Sequence, residues 1–138
     1  MNGSTADLDT PDELAIRSLI LGIVHRTVGE YPTSRAFLDD SYKRHGGIAT
    51  SSWIGGVSLF ELAVLDLKEM ETTEREGDSS GSLTMSQRWE TALKAAREKL
   101  DLALKLCGSQ VDLSSRLDSR IVMLKDEIAL KMDMLATT

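Results

Sequence analysis

The sequence predicts an all-α protein: two antiparallel helical hairpins capped by a long C-terminal helix. Three observations carry this. No segment alternates apolar and polar residues at period two for long enough to make a strand. Apolar residues recur instead at helical spacing, as in Trp89, Leu93, Ala96, Leu100, Ala103 and Cys107, which follow one another at steps of four and three. Helix-start and helix-stop residues stand between such stretches, among them Thr10-Pro11-Asp12-Glu13 and Gly108.

Residues 1–9 read as a disordered lead-in, and residues 10–136 as one helical domain. In the first helix Thr10 stands at the N-cap, Pro11 at the first helical position, and Glu13 closes a capping box. Leu14, Leu21, Val24 and Val28 form one apolar stripe and Ile16, Ile20 and Ile23 another, so this helix should be covered from more than one side. The second helix runs from about Pro32 to His45 and turns Ser34, Leu38 and Ser41 inward. Gly22 faces it, small enough to let the pair approach. Gly29 and Tyr31-Pro32 take the turn, and Gly46-Gly47 end the hairpin. Asp39-Asp40 precede Lys43-Arg44, an order that suits the helix dipole only at the C-terminal end.

Thr50-Ser51-Ser52 offers the N-cap of a third helix, with Trp53, Val57, Phe60, Val64 and Leu67 on one face and Leu59, Leu62, Ala63 and Met70 on another. Gly55-Gly56 in its first turn sacrifices about 1 kcal/mol of helix propensity per glycine, which a closely approaching backbone or a strained start would explain. Thr72 to Ser82 is polar and Gly/Ser-rich, and a flexible loop is expected over 72–83. Thr84 and Gln87 cap the fourth helix. Asp112 caps the last, in which Leu113, Leu117, Ile121, Leu124, Ile128, Met132 and Leu135 keep helical spacing over about 35 Å.

The stretch Leu21 to Gly46, LGIVHRTVGEYPTSRAFLDDSYKRHG, sets its small and large residues as one tetratricopeptide-like repeat does, with Ser41 and Gly46 where Ala and Pro are usual. The second pair follows in outline, with Ala63 on one helix and Trp89 and Ala92 on the other. With the segments SSWIGGVSLFELAVLDL, RWETALKAAREKLDLAL and DLSSRLDSRIVMLKDEI, residues 12–136 resemble the C-terminal region of one family. It comprises the tetratricopeptide repeat protein 39 group and the fungal mitochondrial outer membrane and inclusion body clearance proteins. Phe60-Glu61-Leu62-Ala63 and Ser115-Arg116-Leu117-Asp118-Ser119-Arg120-Ile121 are the most distinctive runs. The resemblance implies a C-terminal part of a longer type of protein, and a role in lipid or inclusion-body handling.

Composition sets the function classes. A chain of 138 residues with 41% hydrophobic and 28% charged residues suits one soluble domain. At 4% aromatic content, aliphatic side chains and Met must fill the core. A net charge of −6 disfavours nucleic acid as a partner. The acid is concentrated: residues 51–82 carry Glu61, Asp66, Glu69, Glu71, Glu74, Glu76 and Asp78 against Lys68 and Arg75. The single Cys107 has no internal disulfide partner, which suits a reducing compartment. No apolar run approaches the roughly 20 residues of a membrane span, and MNGSTADLDT is unlike a targeting peptide. A cytoplasmic protein is expected, with an organelle surface and peripheral membrane association left open.

No cofactor or metal is expected and no enzyme signature is found. His25 and His45 lie on different helices without carboxylate or Cys at ligand spacing, and read as surface or helix-end residues rather than metal ligands. Cys107, on an apolar seam, reads as a buried thiol before a nucleophile. The serines lack a Gly-x-Ser-x-Gly elbow, and the Gly-Gly pairs lack the strand and Lys-Ser/Thr of a phosphate loop. Glu61, on an apolar face, is expected to pair with Arg88, Arg97, Arg116 or Arg120, with acid–base chemistry as the competing role. Arg116 and Arg120 read as surface pairs or a small basic clamp.

The function expected is a scaffold for protein–protein interaction or self-association through an apolar helical groove. First helices of successive hairpins would line it: Ile16, Leu19, Ile23 and Arg26, with Phe60, Val64, Leu67 and Lys68. Either the last helix covers this groove or another chain's helix fills it. In the open case, Asp at Phe60 or Val64 would abolish partner binding and spare helicity. A helical bundle enclosing an apolar ligand between the first, third and fifth helices is the alternative.

Overall fold

The computed structural model describes residues 11–45, 52–77, 83–107 and 112–137. They form five helices: α1 (Pro11–Thr27), α2 (Tyr31–His45), α3 (Ser52–Glu76), α4 (Met85–Cys107) and α5 (Asp112–Ala136). No strand occurs among the described residues. The fold is all-α, with α1/α2 and α3/α4 as hairpins and α5 as the long C-terminal helix. Each helix packs on the next in sequence, and α3 also touches α1 and α5. Neighbour and next-neighbour packing of this kind is how helical-hairpin arrays stack.

Local chemistry sets the boundaries. Gly29 has φ 85°, and the Gly29 and Glu30 amides donate to the carbonyls of Arg26 and His25 at 3.0 and 2.8 Å. That pair of bonds ends α1 in a Schellman turn, which needs a left-handed residue. At α4 the capping box forms in both directions: the Gln87 amide donates to Thr84 Oγ1 at 3.1 Å, and the Thr84 amide donates to Gln87 Oε1 at 2.8 Å. The expected caps at Thr10, Thr50, Ser51 and Gly108 lie outside the described residues.

One boundary differs from the sequence reading. Of the flexible loop expected over 72–83, residues 72–76 are helical, because α3 continues through Glu76 to Gly77 at φ 68°, and residues 78–82 lie outside the described ones. Thr73 Oγ1 donates to the Glu69 carbonyl at 3.0 Å, and Trp89 Nε1 donates to Glu74 at 2.9 Å. These bonds hold a polar segment helical that propensity alone leaves ambiguous.

The core has two parts, divided by α3. Phe60, Ala63 and Met70 pack with Trp89, Leu93 and Leu100 of α4 and with Leu117, Ile121 and Ile128 of α5. Leu62 and Leu65, on another side of α3, pack with Leu19 of α1 and Leu38 of α2. The α4 seam is buried as its spacing requires, from Trp89 to Ala103; the Cys107 side chain lies outside the described ones.

Small side chains let α1 and α2 approach. Ser34, Leu38 and Ser41 are fully buried. Ser34 Oγ donates to the Gly22 carbonyl at 2.6 Å, and Ser41 Oγ meets Ser58 Oγ at 2.6 Å. A Cβ on Gly22 would stand 2.5 Å from Leu38 Cδ2. Gly22→Ala is therefore expected to lose about 1 kcal/mol net: overpacking costs about 1–3 kcal/mol, and removing a helical glycine returns about 1 kcal/mol. Urea denaturation checks this; an unchanged or raised midpoint would show that Leu38 has room to move.

Candidate functional site

Helix α3 is the hub of the charged interactions as well as of the core. On one side its Glu61, with only 5% of the side chain exposed, accepts a hydrogen bond from Arg26 Nη2 of α1 at 2.7 Å. Arg120 of α5 reaches the other Glu61 oxygen at 3.8 Å and lays its guanidinium 4.3 Å from the Phe60 ring centre. Three helices meet at one carboxylate. Arg120 is among the partners the sequence suggested; Arg26 is not.

Elsewhere on α3, Asp66 accepts hydrogen bonds from Arg35 of α2 at 2.7 Å and Lys99 of α4 at 2.6 Å. Arg35 also donates to Glu69 at 2.6 Å. Burial by itself would lower the Arg35 pKa, but the bonds to Glu69 and Asp66 together outweigh it and hold the guanidinium above its ordinary value. At the other end of α2, hydrogen bonds from Ser18 and then Arg44 hold the Asp40 carboxyl below the usual carboxylate range. Each of these groups links neighbouring helices or braces one helix.

The eight residues expected to line one open groove are distributed differently. Leu19 is buried between α1, α2 and α3, with Ile23 packed on the same cluster. Arg26 is engaged by Glu61. Phe60 is 5% exposed and sits in the other cluster, where Leu117 and Ile121 of α5 also pack. Of the two occupants left open for this face, α5 is the one placed at Phe60. Val64 and Leu67 are half-buried against that cluster. Lys68 is exposed and lies 3.6 Å from Glu71. Ile16 lies apart, beside Ile20 and Leu21 in a shallow apolar depression of α1. No continuous groove joins all eight. The long last helix contributes to the wall that a monomeric array would otherwise leave bare.

Two other features emerge that residue spacing did not single out. On α1 the buried side is mostly small, Ala15, Ser18 and Gly22, with Leu19 beside them. Some of its large aliphatic residues face outward, Ile20 at 55% and Val24 at 50% exposure, and Val28 in the turn that follows is 64% exposed. On α5 Met123, Leu130 and Met134 likewise form an exposed stripe. α2 and α3 thus cover α1 from two sides, but among the described residues Ile20 and Val24 of its expected stripes stay exposed. The second feature is a cleft between α3, α4 and α5 where Lys131 Nζ lies 4.4 Å from the Trp89 ring centre.

Comparison with protein-family models, curated proteins and solved structures gives no match. Among the described residues no group of three or more His, Cys, Asp or Glu is placed to hold a metal ion, and no helix is long and apolar enough to cross a membrane. His25 stacks on Phe37 with ring centres 5.4 Å apart. Its Nδ1–H donates to Glu30 at 2.6 Å, a carboxylate that the spacing argument overlooked and that the Schellman turn brings back.

Proposed function

We propose that this chain is a non-catalytic helical-repeat scaffold that acts through protein–protein contact, self-association included, using the aliphatic ridge of α1. The observation that carries the reading is the inversion of α1, whose Ala15, Ser18 and Gly22 are buried and whose Ile20 and Val24, continued by Val28 just past its end, are exposed at one-turn intervals. An exposed aliphatic ridge of this kind is energetically favourable to cover. Stacked hairpins supply the rigid frame that a scaffold needs. Catalysis finds less support, since both oxygens of Glu61, the one buried carboxylate among the described residues, face arginines.

On the sequence resemblance alone, the reading extends to lipid or inclusion-body handling in the cytoplasm or at an organelle surface. The alternative, an apolar ligand enclosed by α1, α3 and α5, is disfavoured because Arg26, Glu61 and Arg120 occupy that junction.

Analytical ultracentrifugation over a wide concentration range tests the self-association arm. The wild-type mass is expected to rise with concentration, and Val24→Asp to remain monomeric with unchanged helicity, because an exposed substitution alters stability by only about 0.5 kcal/mol. A wild-type chain that stays monomeric throughout, or a Val24→Asp chain that associates as before, overturns the ridge as a self-contact.

A further inference from the structure

We propose that the cleft between α3, α4 and α5 receives a lysine or arginine side chain from a basic segment of a partner protein, with Lys131 as its built-in competitor. The cleft has a volume of about 360 Å³. That lies within the range of small-ligand pockets and accommodates one long side chain with part of its backbone. The floor is apolar, from Leu67, Leu93 and Ile128, and suits the methylene stem of a basic residue. Its rim carries Glu71, Glu74 and Glu127 against the single ammonium of Lys131, a surplus of negative charge.

Trp89 makes the site more than a set of acids. Its Nε1–H is anchored on Glu74 at 2.9 Å, which fixes the indole plane and places a carboxylate at the ring edge. Lys131 Nζ lies over that ring at 4.4 Å, so an ammonium fits the space above the indole. The floor, the ring and the carboxylates are complementary to a cation on an aliphatic stem. Because α5 carries Lys131 on a flexible side chain, the contact can be vacated without moving a helix. The nearby carboxylates then receive the incoming charge. Lys68, outside the cleft, lies 3.6 Å from the rim residue Glu71 and is exposed, and adds only a weak competing contact.

This site is separate from the α1 ridge and does not rest on it. Its test is titration of the full chain with an oligolysine peptide, followed by the Trp89 indole N–H signal in NMR, with Trp89 assigned by substitution. Binding should move that signal. Lys131→Ala should tighten binding by about threefold, the equivalent of one exposed cation–π contact. Glu127→Gln should weaken it by about fivefold, while Glu98→Gln, an exposed acid of α4 outside the cleft, leaves it unchanged. Val24→Asp should bind as wild type does, which separates this site from the scaffold contact. The proposal is overturned if the indole signal stays fixed at saturating peptide. Weaker or equal binding by Lys131→Ala also overturns it, as does equal loss in Glu98→Gln and Glu127→Gln, which marks general charge attraction.

Discussion

Phe60→Asp is expected to abolish the fold, with far-UV circular dichroism falling to that of an unfolded chain at room temperature. The ring is 5% exposed and belongs to the cluster formed with Trp89, Leu93, Leu117 and Ile121. Truncating a core Phe to Ala already costs about 3–5 kcal/mol. A carboxylate in the same place adds the penalty of burying charge among aliphatic side chains. Arg120 stands over the ring, but it is 58% exposed on its side chain and offsets little of that penalty. Against a typical domain stability of about 5–15 kcal/mol, the combined loss is enough to unfold the chain. Phe60→Leu provides the control: it keeps an apolar group in the site, should cost about 1–2 kcal/mol, and should retain full helicity. A Phe60→Asp chain that stays helical with a wild-type melting curve would place this ring outside the core. The outcome expected here replaces the one expected from sequence, in which Asp at this position removes binding and spares the helices.

That reversal shows which part of the structure the residues encode openly. The hairpins are legible because their signals are local. Thr84 and Gln87 lie within one turn, Gly29 acts through its own φ, and the Trp89-to-Ala103 seam repeats on a single helix. Gly22, Ser34 and Ala63 were readable as contact points because only small residues fit between closely packed helices, and all three are buried. Ala92, assigned the same role, is half-buried.

What is not local is not legible in the same way. Periodicity reports where apolar side chains lie on α1, but not from which side its partners come. The neighbours select the face that permits closest approach, Ala15, Ser18 and Gly22, and leave Ile20 and Val24 outside. Whether the expected groove stands open or is covered escapes spacing for a related reason. Spacing puts Phe60 on a common face with Val64 and Leu67, while the position of α5, some sixty residues later, decides that this face is closed. Spacing does not point to Arg26 as the partner of Glu61, because the two are separated by 35 residues and only the α1–α3 contact brings them together.

The Glu61 junction gives the second large effect. Glu61→Leu is expected to destabilise the chain by about 3 kcal/mol, because it leaves the Arg26 guanidinium, 20% exposed, without its carboxylate. Arg26 Nε is already buried without a hydrogen-bond partner, so Glu61 is the acceptor on which this side chain depends. Arg120→Met should cost less than about 1 kcal/mol, since its ion pair is long at 3.8 Å and its side chain is largely in solvent. The decisive measurement is the double variant Glu61→Leu with Arg26→Met, compared by urea denaturation with each single change. Removing both charges takes away the attraction together with the desolvation that opposed it, so the double variant should recover most of the loss. Such recovery would mean that the pair specifies how α1 docks on α3 more than it adds net stability. If the double variant is as unstable as the sum of the singles, Glu61 stabilises the junction through packing rather than through Arg26, and the ionic account of how α1, α3 and α5 are joined fails.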